Sequence, residues 1–85
     1  MDIKLKVGQR IKELRKELNL SQEALANEAE VDRTYMTDVE NGRRNISVES
    51  LQKIMNGLEI TFKEFFDHEL FLPVKKRAQK KWISL

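Results

Sequence analysis

The 85-residue chain contains no cysteine, one proline, three glycines and one histidine, and each scarcity excludes something. Without cysteine, neither a disulfide nor a thiolate metal site can stabilise the fold. An all-β protein needs more turn residues than Gly8, Gly42, Gly57 and Pro73 supply. The apolar runs are only a few residues long, which argues against a membrane span. We therefore expect one small unit held together by apolar packing.

The first ten residues alternate charged with apolar side chains and lack the continuous apolar segment of a secretion signal. This pattern predicts a cytoplasmic protein. The chain also lacks a phosphate-binding glycine loop, a nucleophilic cysteine and paired carboxylates in an evident pocket, which argues against an enzyme. His68 is predicted to be a solvated surface residue. No catalytic residue, cofactor, metal site or small-molecule substrate is predicted.

The formal net charge of +2 is divided unequally along the chain. The end of the chain carries five basic residues and no acidic one: Lys75, Lys76, Arg77, Lys80 and Lys81. Residues 1–74 carry 11 basic and 14 acidic side chains, a net charge of −3. If this part of the chain binds a polyanion, it must do so through local positive patches.

Helical periodicity dominates the sequence. Val7, Ile11, Leu14 and Leu18 form one apolar stripe on a first helix. Four later segments share an apolar residue, a capping Ser, Asp or Thr, and a second apolar residue five positions after the first. They are Leu20-Ser21…Leu25, Val31-Asp32…Met36, Ile46-Ser47…Leu51 and Ile60-Thr61…Phe65. In each, the capping oxygen can accept from a free N–H of the first turn and the apolar pair can form a hydrophobic staple.

These signals predict an all-α fold, a compact bundle of five helices at residues 3–18, 22–29, 33–41, 48–58 and 62–70. Short connections between them fit such a bundle. The predicted core consists of the inward-facing apolar residues Ile11, Leu14, Leu18, Leu25, Ala26, Ala29, Met36, Val39, Leu51, Ile54, Met55, Leu58, Phe62 and Phe65.

The second and third helices, with the tight turn between them, have the spacing of a helix-turn-helix, which places the start of its second helix in the DNA major groove. Arg33, Thr34 and Thr37 are predicted to face outwards there, with Tyr35 partly between core and surface. Arginine can donate two hydrogen bonds to guanine, and threonine can contact a base edge or the thymine methyl group. We expect Arg33, Thr34 and Tyr35 to carry the sequence preference.

Residues around this helix are suited to holding the DNA backbone. The segment after it contains Asn41, Arg43, Arg44 and Asn45 with Gly42 between them, and such an arginine-rich exit can bind phosphates. Gln22, the first residue of the preceding helix, can meet another phosphate with its amide and nearby N–H groups. The sequence thus predicts a sequence-specific DNA-binding regulator.

Several motifs resemble those of the Cro and phage-repressor-like helix-turn-helix family, also called xenobiotic response element-like. They are Ile11-Lys12-Glu13-Leu14-Arg15, Leu20-Ser21-Gln22-Glu23-Ala24-Leu25-Ala26, Tyr35-Met36-Thr37-Asp38-Val39-Glu40-Asn41-Gly42, Leu51-Gln52-Lys53-Ile54 and Leu58-Glu59-Ile60. The resemblance implies a λ-repressor-like fold over residues 7–67. The segments 32–35, 43–46 and 55–59 look like those of restriction–modification controller proteins. That likeness implies a homodimer on palindromic operators that times expression of an endonuclease, with Arg33, Thr34 and Tyr35 on bases and Gln22, Asn41, Arg43, Arg44 and Asn45 on phosphates or flanking bases.

Two features depart from the family pattern. Glu30 stands in the turn where the family often has glycine, and a left-handed conformation there would cost about 1–2 kcal/mol. The segment after Pro73 has no counterpart in the shortest controllers. Its Val74, Ala78, Trp82 and Leu85 have helical spacing, so a short basic helix that docks on the dimer or extends the DNA contact is one expectation, and a disordered end is another.

Apolar residues are also abundant just before this tail. Phe66, Leu70, Phe71 and Leu72 are more than so small a monomer easily buries, and they are the predicted dimer interface. The alternative is that the tail folds back over them. The predicted organisation is a DNA-binding and dimerisation domain at residues 1–72 and a basic tail at 73–85. An alternative function is an antitoxin or other regulator whose C-terminal segment engages a partner protein; a membrane partner is not expected.

Overall fold

The computed structural model describes residues 1–72, and the predictions made for residues 73–85 lie outside this part. Its elements are α1 (Ile3–Glu17), α2 (Gln22–Ala29), α3 (Arg33–Glu40), α4 (Val48–Gly57), α5 (Phe62–Phe66) and a 3₁₀ turn at Glu69–Phe71. No strand occurs among the described residues. The prediction of an all-α fold with five helices is confirmed. No helix in residues 1–72 combines the length and apolar character needed to cross a membrane.

The four predicted capping residues start four of the helices. Ser21, Asp32, Ser47 and Thr61 have extended backbones, and each side-chain oxygen accepts a backbone N–H from the first turn. The Glu64 carboxylate accepts in return from the Thr61 N–H at 3.0 Å, which completes a capping box. The apolar residues that precede the caps pack against the core: Leu20, Val31, Ile46 and Ile60. Local sequence therefore determines where these helices begin.

Helices α1, α2 and α4 end with one shared geometry. Asn19, Glu30 and Glu59 have φ between 56° and 58°, in the left-handed region. The next N–H reaches back to a carbonyl five residues earlier, in the pairs Leu20–Arg15, Val31–Ala26 and Ile60–Met55, at 2.9–3.0 Å. This Schellman geometry turns the following apolar residue towards the core. Glu30 thus takes the left-handed conformation at the position where the family often has glycine.

The core agrees with the predicted residues at twelve of fourteen positions, if half-buried Leu14 is included. The two exceptions are Leu18, which is 47% exposed, and Phe62, which is 40% exposed. Helix α1 ends at Glu17, so Leu18 is its C-cap and leaves the apolar stripe. In α5 the buried position belongs to Phe65, and Ile60 packs against the core to which Phe65 belongs. Placing Leu18 and Phe62 in the core was wrong.

Helix α5 is shorter than the predicted 62–70, because it ends at Phe66. The backbone of His68 is extended and its Nδ1 accepts the N–H of Leu70 at 3.0 Å, which starts the 3₁₀ turn. This local side-chain bond competes with continuation of the helix. The His68 side chain is 26% exposed and lies 3.8 Å from Glu13, so it is only partly solvated.

Helix α3 is held against both preceding helices, so that its position is fixed. Met36 and Val39 are buried in the common core. Gly8 of α1 permits the close approach, because a Cβ there would collide with the backbone carbonyl oxygens of Val39 and Glu40. The outward face of α3 is therefore presented by a rigid body, which is what a recognition element requires.

Candidate nucleic-acid interface

The first residues of α3 stand free of the core. Arg33 and Thr34 are exposed, while Tyr35 is half-buried and packs partly against the core. Asp32 is committed to capping, since its carboxylate accepts from the N–H groups of Thr34 at 2.9 Å and Tyr35 at 3.3 Å. The Arg33 guanidinium lies instead 3.4 Å from Glu23 of α2. Arg33 is therefore free to exchange this loose partner for a ligand.

The segment after α3 brings two more arginines to the same surface. Gly42 turns the chain with φ of 71°, and a Cβ there would collide with Leu5. Arg43 and Arg44 are both exposed and both lie near the carboxylate of Asp38, at 3.8 Å and 3.5 Å. The Arg44 guanidinium also stacks over the ring of Tyr35, 4.9 Å from its centroid. Tyr35, Arg43 and Arg44 thus form one cluster around Asp38.

A buried ion pair lies directly behind this surface. Arg15 of α1 binds Glu40 of α3 through two hydrogen bonds, Nε–Oε2 at 2.7 Å and Nη2–Oε1 at 3.0 Å. The side chain of Glu40 is 1% exposed and that of Arg15 is 10% exposed. A third bond joins Arg15 Nη1 to the Leu20 carbonyl at 2.8 Å. Such a pair is stable in the interior because all three guanidinium nitrogens and both carboxylate oxygens have hydrogen-bond partners.

Gln22 links the buried pair to the surface. Its Nε2 donates to Glu40 Oε1 at 3.0 Å, and its Oε1 accepts from the Thr37 hydroxyl at 2.9 Å. The Thr37 oxygen also lies 3.1 Å from the Arg33 carbonyl. Both neighbours of this hydroxyl are acceptors, so its single proton stays within the protein. Towards a ligand, half-buried Thr37 can then only accept a hydrogen bond.

The structure distributes the residues selected from the sequence over three places. Gln22 and Thr37 are joined through the buried pair, Tyr35, Arg43 and Arg44 surround Asp38, and Arg33 lies near Glu23. Thr34, Asn41 and Asn45 are exposed beside them, Asn41 as the C-cap of α3. All nine selected residues lie on α2, α3 or the segment that follows α3.

Sequence reasoning missed Arg15, Glu40 and Asp38. Two signals were available for the buried pair: Arg15 follows Ile11 by four residues on the apolar face of α1, and Glu40 directly follows core Val39. A charge on a core-facing position requires a partner of opposite sign. No pattern identified Asp38, because its role depends on how the segment after α3 folds back beside it.

The residues selected for a dimer interface form an apolar surface around α5 and the 3₁₀ turn. Phe66 is 37% exposed and Leu72 is 71% exposed. Phe71 is half-buried, packs on the core and lies 4.9 Å from the ring of Phe66; Leu70 is also half-buried. Arg10 anchors this region, since it donates to the carbonyls of Phe65 at 2.8 Å and Glu64 at 3.0 Å.

Fold and site together define a helix-turn-helix protein. A family model described as "Helix-turn-helix" matches residues 11–65. The chain belongs to this family. Within residues 1–72, no three His, Cys, Asp or Glu side chains lie close enough together to share a metal ion.

The relatives of the chain include control proteins of restriction–modification systems. "Control protein C.MunI" from Mycoplasma sp is 50% identical over 66 residues, which span 76% of this chain and 89% of that protein. "Control protein C.BamHI" from Bacillus amyloliquefaciens is 37% identical over 81 residues, spanning 94% and 96%. Among solved structures, the tetramer of the restriction–modification controller protein C.Esp1396I with its natural 35-base-pair operator is 39% identical, with a TM-score of 0.74 over 78% of this chain and 87% of that one. The resemblance recognised from the sequence motifs is confirmed.

Proposed function

We propose that this protein is the controller of a restriction–modification system, a transcription regulator that binds double-stranded operator DNA as a homodimer. The observation that carries the proposal is the rigid presentation of the start of α3, with Arg33 and Thr34 exposed over a buried ion pair. The controller proteins C.MunI and C.BamHI match most of the chain. The C.BamHI match reaches into the tail, which favours a controller over an antitoxin with an unrelated C-terminal segment.

We assign each interface residue a role from its structural surroundings. Arg33 and Thr34, which lie at the exposed start of α3, read base edges in the major groove. Arg43 and Arg44 bind phosphates, and the stacked Tyr35 ring holds the Arg44 side chain near the surface. Gln22 donates its second amide hydrogen to a phosphate, since the first is bound to Glu40. Asn41 and Asn45 contact the flanking backbone, and Thr37 accepts from a base.

The apolar surface of Phe66, Leu70, Phe71 and Leu72 joins two copies about a two-fold axis. A two-fold dimer presents two copies of α3 about 34 Å apart, one turn of DNA, and therefore requires a two-fold symmetric operator. As a DNA-bound regulator the protein acts in the cytoplasm, and it performs its role by binding rather than by catalysis.

Selection of bound duplexes from a random pool tests this function. We expect enrichment of one sequence with two inverted half-sites whose centres are about ten base pairs apart. A scrambled duplex of the same composition serves as the control, and sedimentation measures the mass of the complex. If no sequence is enriched at moderate ionic strength, or the bound species is a monomer on a single half-site, the proposal is wrong.

A further inference from the structure

We propose that Asp38 is a built-in counter-ion that weakens the hold of Arg43 and Arg44 on DNA of every sequence, so that only a duplex that adds base contacts is bound tightly. This inference rests on the proposed function. It concerns the three exposed arginines of the interface, Arg33, Arg43 and Arg44, each of which already lies within 4 Å of a carboxylate of the chain itself: Glu23 in the first case and Asp38 in the other two.

The distances distinguish a counter-ion from an orienting partner. Arg15 and Glu40 form two bonds of 2.7 Å and 3.0 Å, and this geometry fixes both side chains. Asp38 lies 3.8 Å from Arg43 and 3.5 Å from Arg44, and these arginines are 68% and 48% exposed. One carboxylate shared loosely by two solvated guanidinium groups cannot hold either in a bidentate geometry. It lowers the local positive potential without fixing a direction.

Asp38 is well placed to oppose phosphate. Its side chain is 28% exposed, and it lies on α3 between the base-reading start of the helix and the arginines that follow the helix. DNA binding must then exchange each arginine–carboxylate contact for an arginine–phosphate contact, while the Asp38 charge stays close to the DNA backbone. This penalty applies to every duplex. Only the operator offsets it, because only the operator adds the base contacts of Arg33 and Thr34.

The sign of the effect follows from counter-ion release. When an arginine binds a DNA phosphate, cations that were bound to the DNA are released. Each such contact makes the slope of log K against log salt concentration steeper by about 0.9. Because the Asp38 carboxylate already partly neutralises Arg43 and Arg44, the net number of ions released on DNA binding is smaller. Removing Asp38 should therefore steepen the slope and strengthen binding to all sequences by a similar factor, while the ratio of operator to non-operator affinity stays the same.

The experiment compares Asp38→Asn with the wild type on an operator and on a scrambled duplex across a range of salt concentrations. We expect affinity for both duplexes to rise about three- to fivefold near physiological salt, with little change in their ratio. The salt slope should steepen by up to about one. Glu28→Gln is the matched control, since it removes one negative charge from exposed Glu28 on the α2 surface next to Leu18 and Gly57.

Each other outcome overturns the inference. If Asp38→Asn weakens binding to both duplexes, Asp38 orients Arg43 and Arg44 for binding. If the variant binds both duplexes as the wild type does, the contacts of Asp38 with these arginines have no effect on DNA binding. If Glu28→Gln has the same effect as Asp38→Asn, the effect comes from the net charge of the protein and not from the position of Asp38. Circular dichroism checks that the variant is folded. A wild-type protein that fails to distinguish the two duplexes would instead refute the proposed function.

Discussion

Every arginine of the described residues 1–72 has a specific partner. Arg10 and Arg15 join helices through short bonds of 2.7–3.0 Å to carbonyls and a buried carboxylate. Arg33, Arg43 and Arg44 have only loose partners at 3.4–3.8 Å and remain exposed. The planar, always-charged guanidinium suits both uses, since it can be fully matched inside a protein or can bind guanine and phosphate at a surface.

Replacement of Arg33 by alanine should remove base discrimination without unfolding the protein. We expect a loss of about 1–3 kcal/mol in operator affinity and little change for a scrambled duplex, because a bidentate guanine contact is specific. Arg33→Lys keeps the charge but cannot donate two parallel hydrogen bonds to guanine, so its discrimination between operator and scrambled duplex should resemble that of Arg33→Ala. Competition binding measures both variants. Retained operator preference in Arg33→Ala would remove Arg33 from base reading.

The hydroxyl group of Thr37 allows a test of whether this residue accepts a hydrogen bond from a base or donates one to it. Because its hydroxyl proton is held by Gln22 and the Arg33 carbonyl, Thr37 should accept from the amino group of adenine or cytosine. Thr37→Val should lose about 1 kcal/mol at that base pair alone, and Thr37→Ser should retain it. Replacing the adenine by a purine that lacks the amino group should weaken only proteins with a hydroxyl at this position. A preference for guanine or thymine there would contradict the assignment.

At the level of helices, beginnings and ends obey different rules. The beginnings at Ser21, Asp32, Ser47 and Thr61 could be predicted because a cap and its staple lie within six residues of sequence. The end of α5 could not be predicted, because Leu70 lies in register with the helix although the backbone already leaves it at Asp67 and His68 then caps a separate 3₁₀ turn. The contacts between helices, such as the Arg15–Glu40 pair, also cannot be predicted from local sequence.

The Arg15–Glu40 pair should contribute more to positioning than to stability. Arg15→Met leaves the Glu40 charge buried without a counter-charge and should cost about 3–5 kcal/mol in the free energy of unfolding. A double variant with methionine at both positions should recover most of that loss, because no charge is left buried. Operator discrimination should stay reduced in the double variant, since Gln22 and Thr37 lose their anchor. Urea unfolding and competition binding measure the two effects, and full recovery of discrimination would refute the positioning role.

The capping box of α5 predicts a pH dependence. Hydrogen bonds from the Thr61 N–H and hydroxyl hold the pKa of Glu64 below its usual 4.5. A carboxyl whose pKa is lowered by folding stabilises the protein at higher pH, and this contribution is lost as pH falls below 4.5 and through the lowered pKa. We expect Glu64→Ala to lower the urea midpoint at pH 7 and to converge with the wild type in acid. A difference that is independent of pH would contradict this assignment.

On the scale of the whole molecule, charge and apolar surface are separated. Residues 1–74 carry a net charge of −3, yet all three exposed arginines of the described part lie at the proposed DNA surface. The apolar surface of Phe66, Leu70, Phe71 and Leu72 surrounds α5 and the 3₁₀ turn. In the proposed dimer, two copies joined at this surface would combine two weak half-site contacts into one strong operator contact, since the second half binds at high effective concentration.

Leu72→Lys tests this assembly without touching the core, because Leu72 is 71% exposed. We expect a shift from dimer to monomer in sedimentation and a loss of at least about tenfold in affinity for a two-half-site operator, with binding to a single half-site little changed. Val48→Lys, at a residue that is 75% exposed on α4, is the matched control for oligomeric state. A Leu72→Lys protein that remains dimeric would exclude Leu72 from the interface.

The sequence by itself determined the helical class, the four capped helix beginnings, most of the core and the candidate recognition face. These features depend on neighbours within a few residues, where periodicity and capping act. Tertiary structure alone decided the pairing of Arg15 with Glu40, the hold of Gln22 on Thr37 and the position of Asp38 between Arg43 and Arg44. The first two contacts join residues on different helices that are separated along the chain, and the third depends on how the segment after α3 turns. No local sequence pattern encodes such contacts.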